Sequence, residues 1–130
     1  MINRQFLACT ILLGAILAPM AAAAADTDWK RGRIYYRMVC TACHEAQAGG
    51  SIAPSTRTKA EWATYLQADK HAKGKDSLKY YLSKEYRDKI KATNKAAAKY
   101  ADVSDQDLLN DIKAFVTKGA KDGDSPASCS

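Results

Sequence analysis

The sequence predicts a small all-α domain, and three observations carry that reading. Apolar residues recur at three- and four-residue intervals through most of the chain, the spacing of one helix face. No segment shows the one-in, one-out alternation of a strand. The chain has 130 residues, a length that holds one domain and little more.

The first 25 residues stand apart from that pattern. Arg4 gives a short positive start, Phe6 to Leu17 is nearly all apolar, and Pro19 with an alanine run closes the segment. Ala23-Ala24-Ala25 meets the small-residue rule for cleavage, so residues 1–25 are expected to be an export signal removed before Asp26. The apolar run is shorter than the roughly 20 residues that cross a bilayer as a helix. The expected address is therefore periplasmic, with no stable membrane insertion after cleavage. Cys9 and Met20 leave with the signal.

Cleavage would leave 105 residues, with nineteen lysines and arginines against fourteen acids, a net charge of +5. The lysines are interleaved with acids and apolar residues. That is a mildly basic surface, short of the charge density of a nucleic-acid binder, and no nucleic-acid partner is expected. It suits a redox partner protein with an acidic docking surface.

Asp28 is placed to cap a first helix running from about Trp29 through residue 44, with Gly32, Tyr36 and Cys40 on one stripe at four-residue intervals. Residues 46–56 form a loop marked by Gly49-Gly50 and Pro54. Thr58 and Glu61 make a capping box for a second helix, whose Trp62, Tyr65 and Leu66 share a face. His71, Gly74 and several lysines form a break. A third helix from about Asp76 stacks Leu78, Leu82, Tyr86 and Ile90, and residues 94–100 make a short alanine-rich helix. Ser104 and Asp107 open the last helix, whose stripe is Leu108, Leu109, Ile112, Phe115 and Val116, and Lys118-Gly119 end it. The domain is expected over residues 26–118. Residues 119–130 read as a flexible tail, with Cys129 a lone thiol in it.

The chemistry lies in Cys40-Thr41-Ala42-Cys43-His44. Two thiols three residues apart share one side of a helical turn and are placed to add to two vinyl groups on one porphyrin edge. The histidine that follows offers its imidazole to the iron as proximal ligand. This spacing predicts one haem c, attached covalently through Cys40 and Cys43 and ligated by His44. A zinc site needs four ligands, and the chain has no second Cys-x-x-Cys and no His-x-x-x-His. A thioredoxin-like reading needs a βαβ context that is absent from the pattern. No acid–base pair or nucleophile arrangement emerges, and Glu45 reads as a surface carboxylate, so no enzymatic activity of its own is expected.

These elements together resemble the class I cytochromes c. The resemblance implies a small cytochrome c-like helical domain wrapped around one covalent haem, which supplies apolar interior that so short a chain lacks. It implies that Gly32 lets the first helix approach the last, where Ile112 and Phe115 meet Tyr36. It implies that the carbonyl of Pro54, ten residues after His44, receives that ligand's other N–H and fixes its tautomer. It also implies that one or two of Trp62, Tyr65, Tyr81 and Tyr86 donate to a haem propionate.

The chain departs from the family at the sixth ligand, which is usually a methionine ahead of the last helix. No methionine follows His44, and Met38 lies on the proximal side, just before Cys40. His71 is the one other histidine and is the expected second iron ligand; Lys95 and Lys99 are outside candidates, and an open position is the remaining choice. A bis-histidine haem implies a one-electron carrier between redox proteins. The alternatives are a five-coordinate c-type cytochrome binding a diatomic gas or peroxide, and a haem subunit of a larger oxidoreductase.

Overall fold

Asp28 starts the fold. Its carboxylate accepts hydrogen bonds from the amides of Lys30 and Arg31, both at 3.0 Å, capturing two of the donors that the first turn of a helix leaves unmatched. The computed structural model describes residues 26–42, 52–71 and 74–127. Its helices are α1 (Trp29–Tyr35), α2 (Lys59–Ala68), α3 (Leu78–Leu82), α4 (Lys84–Ile90), α5 (Lys95–Lys99) and α6 (Asp105–Lys118), with a 3₁₀ turn at Pro54–Thr56. No strand occurs among the described residues. The fold is all-α. The export signal falls outside the described residues; no described helix is long and apolar enough to cross a membrane.

The first helix does not stop at Tyr35. It widens into a π-helical turn over Tyr36–Cys40 and stays helical to Ala42. Thr41 closes that turn twice, its amide and its hydroxyl (2.9 Å) both donating to the carbonyl of Tyr36. Tyr35, Tyr36 and Val39 are thereby buried, while Cys40 stays half-buried at the rim of the core. Single π turns of this kind tend to sit at functional positions.

The core is made where α1 crosses α6. Gly32 lies against the backbone of α6: a Cβ built there would stand 2.2 Å from the carbonyl oxygen of Asp111. Tyr36 meets Phe115 edge-on, with ring centroids 5.4 Å apart. Leu108, Ile112 and Val116 fill the rest of the seam. Asp111 is buried beside it and accepts the Asp28 amide at 2.7 Å and the guanidinium of Arg31. A carboxylate in such a place is tolerated because two donors meet it, and it keeps Arg31 charged beyond its ordinary range.

The remaining helices are set by their caps. In α2 the capping box is complete, the Glu61 carboxylate accepting the Thr58 amide at 2.7 Å and the Thr58 hydroxyl accepting the Glu61 amide at 3.2 Å. The bond from the Thr58 amide holds Glu61 below the usual carboxylate range. Because its folded pKa is depressed, Glu61 stabilises above its unfolded value, about 4.3, and the effect is lost as pH falls through the folded value. Acid titration followed by NMR should show the Thr58 amide moving with Glu61, and Glu61→Gln should abolish that movement while keeping the helix. An unmoved Thr58 amide would show that the box does not form in solution.

The single helix expected from Asp76 to Ile90 is two. Ser83 adopts an extended conformation (φ −70°, ψ 152°). Its hydroxyl donates to Tyr80 O at 2.7 Å and accepts the Tyr86 amide at 3.1 Å. One serine thus closes α3 and caps α4, the local competition that serine offers a helix. Both halves still turn apolar residues inward, because Leu82 is buried and Leu78, Tyr86 and Ile90 pack against the core. Arg87 on α4 is fully buried and donates to the carbonyls of Tyr100 (2.6 Å), Val103 (2.8 Å) and Ser83 (3.3 Å) and to Asp105 (2.6 Å).

Beyond Lys118 the chain turns back and is hydrogen-bonded as far as Ala127. Ala127 donates to Gly119 O at 2.9 Å and accepts the Ser55 amide at 3.2 Å, while Lys121 donates to Arg57 O at 2.9 Å and Asp122 accepts the Lys59 amide at 2.7 Å. Glycine, aspartate and serine, read from sequence as a tail, are also the residues of tight turns. This strap clasps the Pro54 turn to the end of α6. Cys129 lies outside the described residues.

Candidate functional site

Of the predicted haem residues, Cys40, Pro54 and His71 are described; Cys43 and His44 lie outside the described residues. Cys40 ends the π turn, half-buried against the aromatic side of the core. Tyr35 and Tyr65 both feel it. Burial pushes the Tyr35 hydroxyl well above its ordinary range, with Cys40 adding to the shift and Arg87 opposing it. Tyr65 is raised for the same leading reason, with Arg57 opposing.

His71 reaches the same neighbourhood by a second route. Tyr35, one turn before Cys40, donates its hydroxyl to the Tyr81 carbonyl at 2.7 Å. The ring of Tyr81 stands 5.4 Å from the imidazole of His71 and edge-on to Tyr86, 5.1 Å away. Tyr35 thus links the helix that runs to Cys40, through one hydrogen bond, to the Tyr81–Tyr86 pair on which His71 rests. His71 is half-buried, not a residue turned out to solvent on a polar loop.

The Pro54 turn forms another wall. Pro54 is buried, and its carbonyl accepts the Trp62 indole N–H at 2.7 Å and the Arg57 amide at 3.4 Å. Indole has a single donor, and Trp62, one of the four aromatics among which one or two propionate donors were expected, commits it to Pro54. Tyr36 ties the first helix to this wall through its hydroxyl, 2.6 Å from Ile52 O. Arg57, which sequence alone did not single out, lies over both Trp62 and Tyr65, 4.9 and 4.8 Å from their ring centroids. A fixed positive charge on two aromatic faces is a stable arrangement, and one that suits a carboxylate.

The outside candidates lie elsewhere. Lys95 and Lys99 are exposed on α5, Lys99 above the ring of Tyr100 at 5.4 Å. Met38 is exposed, its carbonyl accepting from Asn94 at 2.8 Å. Among the described residues no three His, Cys, Asp or Glu side chains gather as a metal cluster. A surface groove of about 480 Å³ lined by Trp29, Lys59, Lys113 and Lys118 opens at the start of α1. That is about 16 Å along the helix from Cys40 at 1.5 Å per residue, and none of the candidate residues lines it.

These observations test whether a porphyrin suits the chain. Cys40 offers a thiol at the rim of the core. Ile52, Tyr65, Leu78 and Tyr86 pack against that core while remaining only half covered by protein. Thiol, imidazole, an apolar surface and Arg57 form the donor set and lining that a flat apolar macrocycle with carboxylate arms requires. The residues fit the group.

The comparisons point the same way. Residues 29–119 match the protein family described as Cytochrome c. No curated protein and no solved structure matches the chain.

Proposed function

This chain belongs to the cytochrome c family, and from that premise we propose that it is a periplasmic one-electron carrier with a bis-histidine haem. A c-type cytochrome carries haem c attached covalently through cysteine, exchanges electrons with partner proteins, and is built for transfer rather than for catalysis. When bound, the haem supplies the ferric–ferrous couple through which a single electron is taken up and passed on.

In this reading Cys40 and Cys43 hold the haem, His44 binds the iron on one face and His71 on the other. One observation carries the choice of His71: Tyr35 joins the helix of Cys40 to the Tyr81 block against which the imidazole rests. The Pro54 turn holds the opposite side, and its carbonyl is the proposed acceptor for His44, which would take the place of the long Arg57 amide bond (3.4 Å) while the Trp62 indole stays. Arg57, braced on Trp62 and Tyr65, offers its charge to a haem carboxylate. A second imidazole in place of methionine leaves the potential low, since methionine raises it. The docking partner is a redox protein with an acidic face, engaged through a small and short-lived interface.

Electron paramagnetic resonance of the ferric holoprotein tests the ligand set. The wild type is expected to be low-spin, and His71→Ala is expected to convert most of that signal to high-spin. A low-spin signal unchanged in His71→Ala would remove His71 from the iron. High spin already present in the wild type would replace the carrier by a five-coordinate haem open to a diatomic gas.

A further inference from the structure

The space that the His71 imidazole occupies exists because the residue three positions on has no side chain. Gly74 donates its amide to the His71 carbonyl at 3.2 Å. A Cβ on Gly74 would stand 2.5 Å from Nδ1 of His71, 2.9 Å from its Cγ and 3.1 Å from the hydroxyl oxygen of Tyr81. Side-chain carbons do not approach other heavy atoms so closely without displacing them.

The usual reasons for a glycine do not apply here. The backbone of Gly74 is not in the left-handed region, so any residue is able to adopt it. The residue in this neighbourhood that does need positive φ is Asp69, at 51°, and it is not a glycine. What position 74 contributes is the missing methyl, and the missing methyl faces the ring.

The wall on which the ring rests is fixed. The Tyr81 ring lies 5.4 Å from that of His71, tilted by 56°. Tyr81 itself is held from behind, edge-on to Tyr86 at 5.1 Å and to Tyr80 at 5.7 Å, with its carbonyl bonded to Tyr35. The imidazole thus rests on Tyr81, and the space of one missing methyl borders both the imidazole and the Tyr81 hydroxyl.

We propose that Gly74 is a positioning residue for His71: by lacking a side chain it sets where the imidazole stands against Tyr81. This inference rests on the reading of His71 as an iron ligand. The collision that a methyl would cause is with a side chain that has two free torsions, not with backbone. Its cheapest relief is rotation of the imidazole away from its place while the helices stay where they are. Gly74→Ala should therefore leave the fold nearly untouched and still take His71 off the iron, a separation that a purely structural glycine would not produce.

The test compares ferric spin state and melting temperature in the holoprotein of the wild type, Gly74→Ala and His71→Ala. Gly74→Ala is expected to lose most of its low-spin signal, as His71→Ala does, while melting within about 3 °C of the wild type. Added imidazole is expected to restore low spin in both variants. If Gly74→Ala keeps its low-spin signal and His71→Ala loses it, the positioning role is overturned and the ligand reading stands. If neither variant changes, the ligand reading fails and this inference fails with it. If Gly74→Ala melts about 10 °C lower or more, or does not fold, the glycine supports the fold, and the positioning role is again overturned.

Discussion

Gly32→Val is expected to lower the melting temperature by roughly 15–30 °C, the equivalent of about 3–5 kcal/mol in a domain of this size. The Cβ alone would sit 2.2 Å from the Asp111 carbonyl and 2.9 Å from the Ile112 amide nitrogen. Both are backbone, so the only relief is to move α1 and α6 apart. Separation loosens Tyr36 on Phe115 and pulls on the Asp28 and Arg31 bonds to Asp111. Valine returns only a few tenths of a kcal/mol through its better helix propensity. Gly32→Ala should fall between, at about 1–3 kcal/mol. Chemical denaturation of the three proteins gives the order directly. A midpoint for Gly32→Val equal to the wild type would mean that the two helices do not approach as described. Because the π turn that continues α1 carries Cys40, the valine variant should retain less haem when produced alongside the wild type.

Arg87→Leu is expected to cost a similar amount, about 3–5 kcal/mol, for a different reason. Arg87 is wholly buried and donates four hydrogen bonds. Leucine fills part of the space and satisfies none of the acceptors. The carbonyl of Val103 then stands without its donor, at about 1–3 kcal/mol for a group left so, while that of Tyr100 keeps only the Val103 amide at 3.2 Å. Arg87→Lys should be milder, since an ammonium reaches some of the acceptors but cannot match the fork. Asp105→Asn should be milder still, because Asp105 is 55% exposed and its half of the pair is partly screened by solvent. The ranking leucine, lysine, asparagine in falling severity is the measurement. An Arg87→Leu protein within about 1 kcal/mol of the wild type would show that water reaches those carbonyls. Tyr86, next to Arg87, abuts Tyr81, so loosening this clasp also loosens the wall beside His71.

What was legible in the sequence was what local chemistry decides. Thr58 with Glu61, Ser104 and Asp28 all cap as their types and spacing require. Gly32 and Tyr36 meet the last helix as the family spacing implies. Ser83 was not legible: the stripe from Leu78 to Ile90 keeps its phase across the break, and a serine inside such a stripe carries no sign of which bond it will choose. The burial of Arg87 and Asp111 was not legible either, because the groups that bury them come from elsewhere in the chain. The carbonyls of Tyr100 and Val103 and the amide of Asp28 cannot be found from local pattern.

At the candidate site the same division holds. Cys40, Cys43 and His44 announce themselves by spacing. His71 was reached by elimination, and Pro54 through resemblance. Arg57 and Gly74 matter only through three-dimensional neighbours, two aromatic faces in one case and an imidazole in the other. Arg57 carries no motif, and Gly74 looks like any other loop glycine.

The bond between the Asp28 amide and Asp111 joins residues 83 apart, and the Gly32 contact is nearly as long in sequence. The first helix to be synthesised therefore cannot bury its inner face until almost the last residues exist. Closing so long a loop is slow compared with forming any of the intervening turns. The segment around Cys40 thus spends its early life on an open chain. That order of events leaves the Cys40 segment open to haem attachment until the final helix arrives.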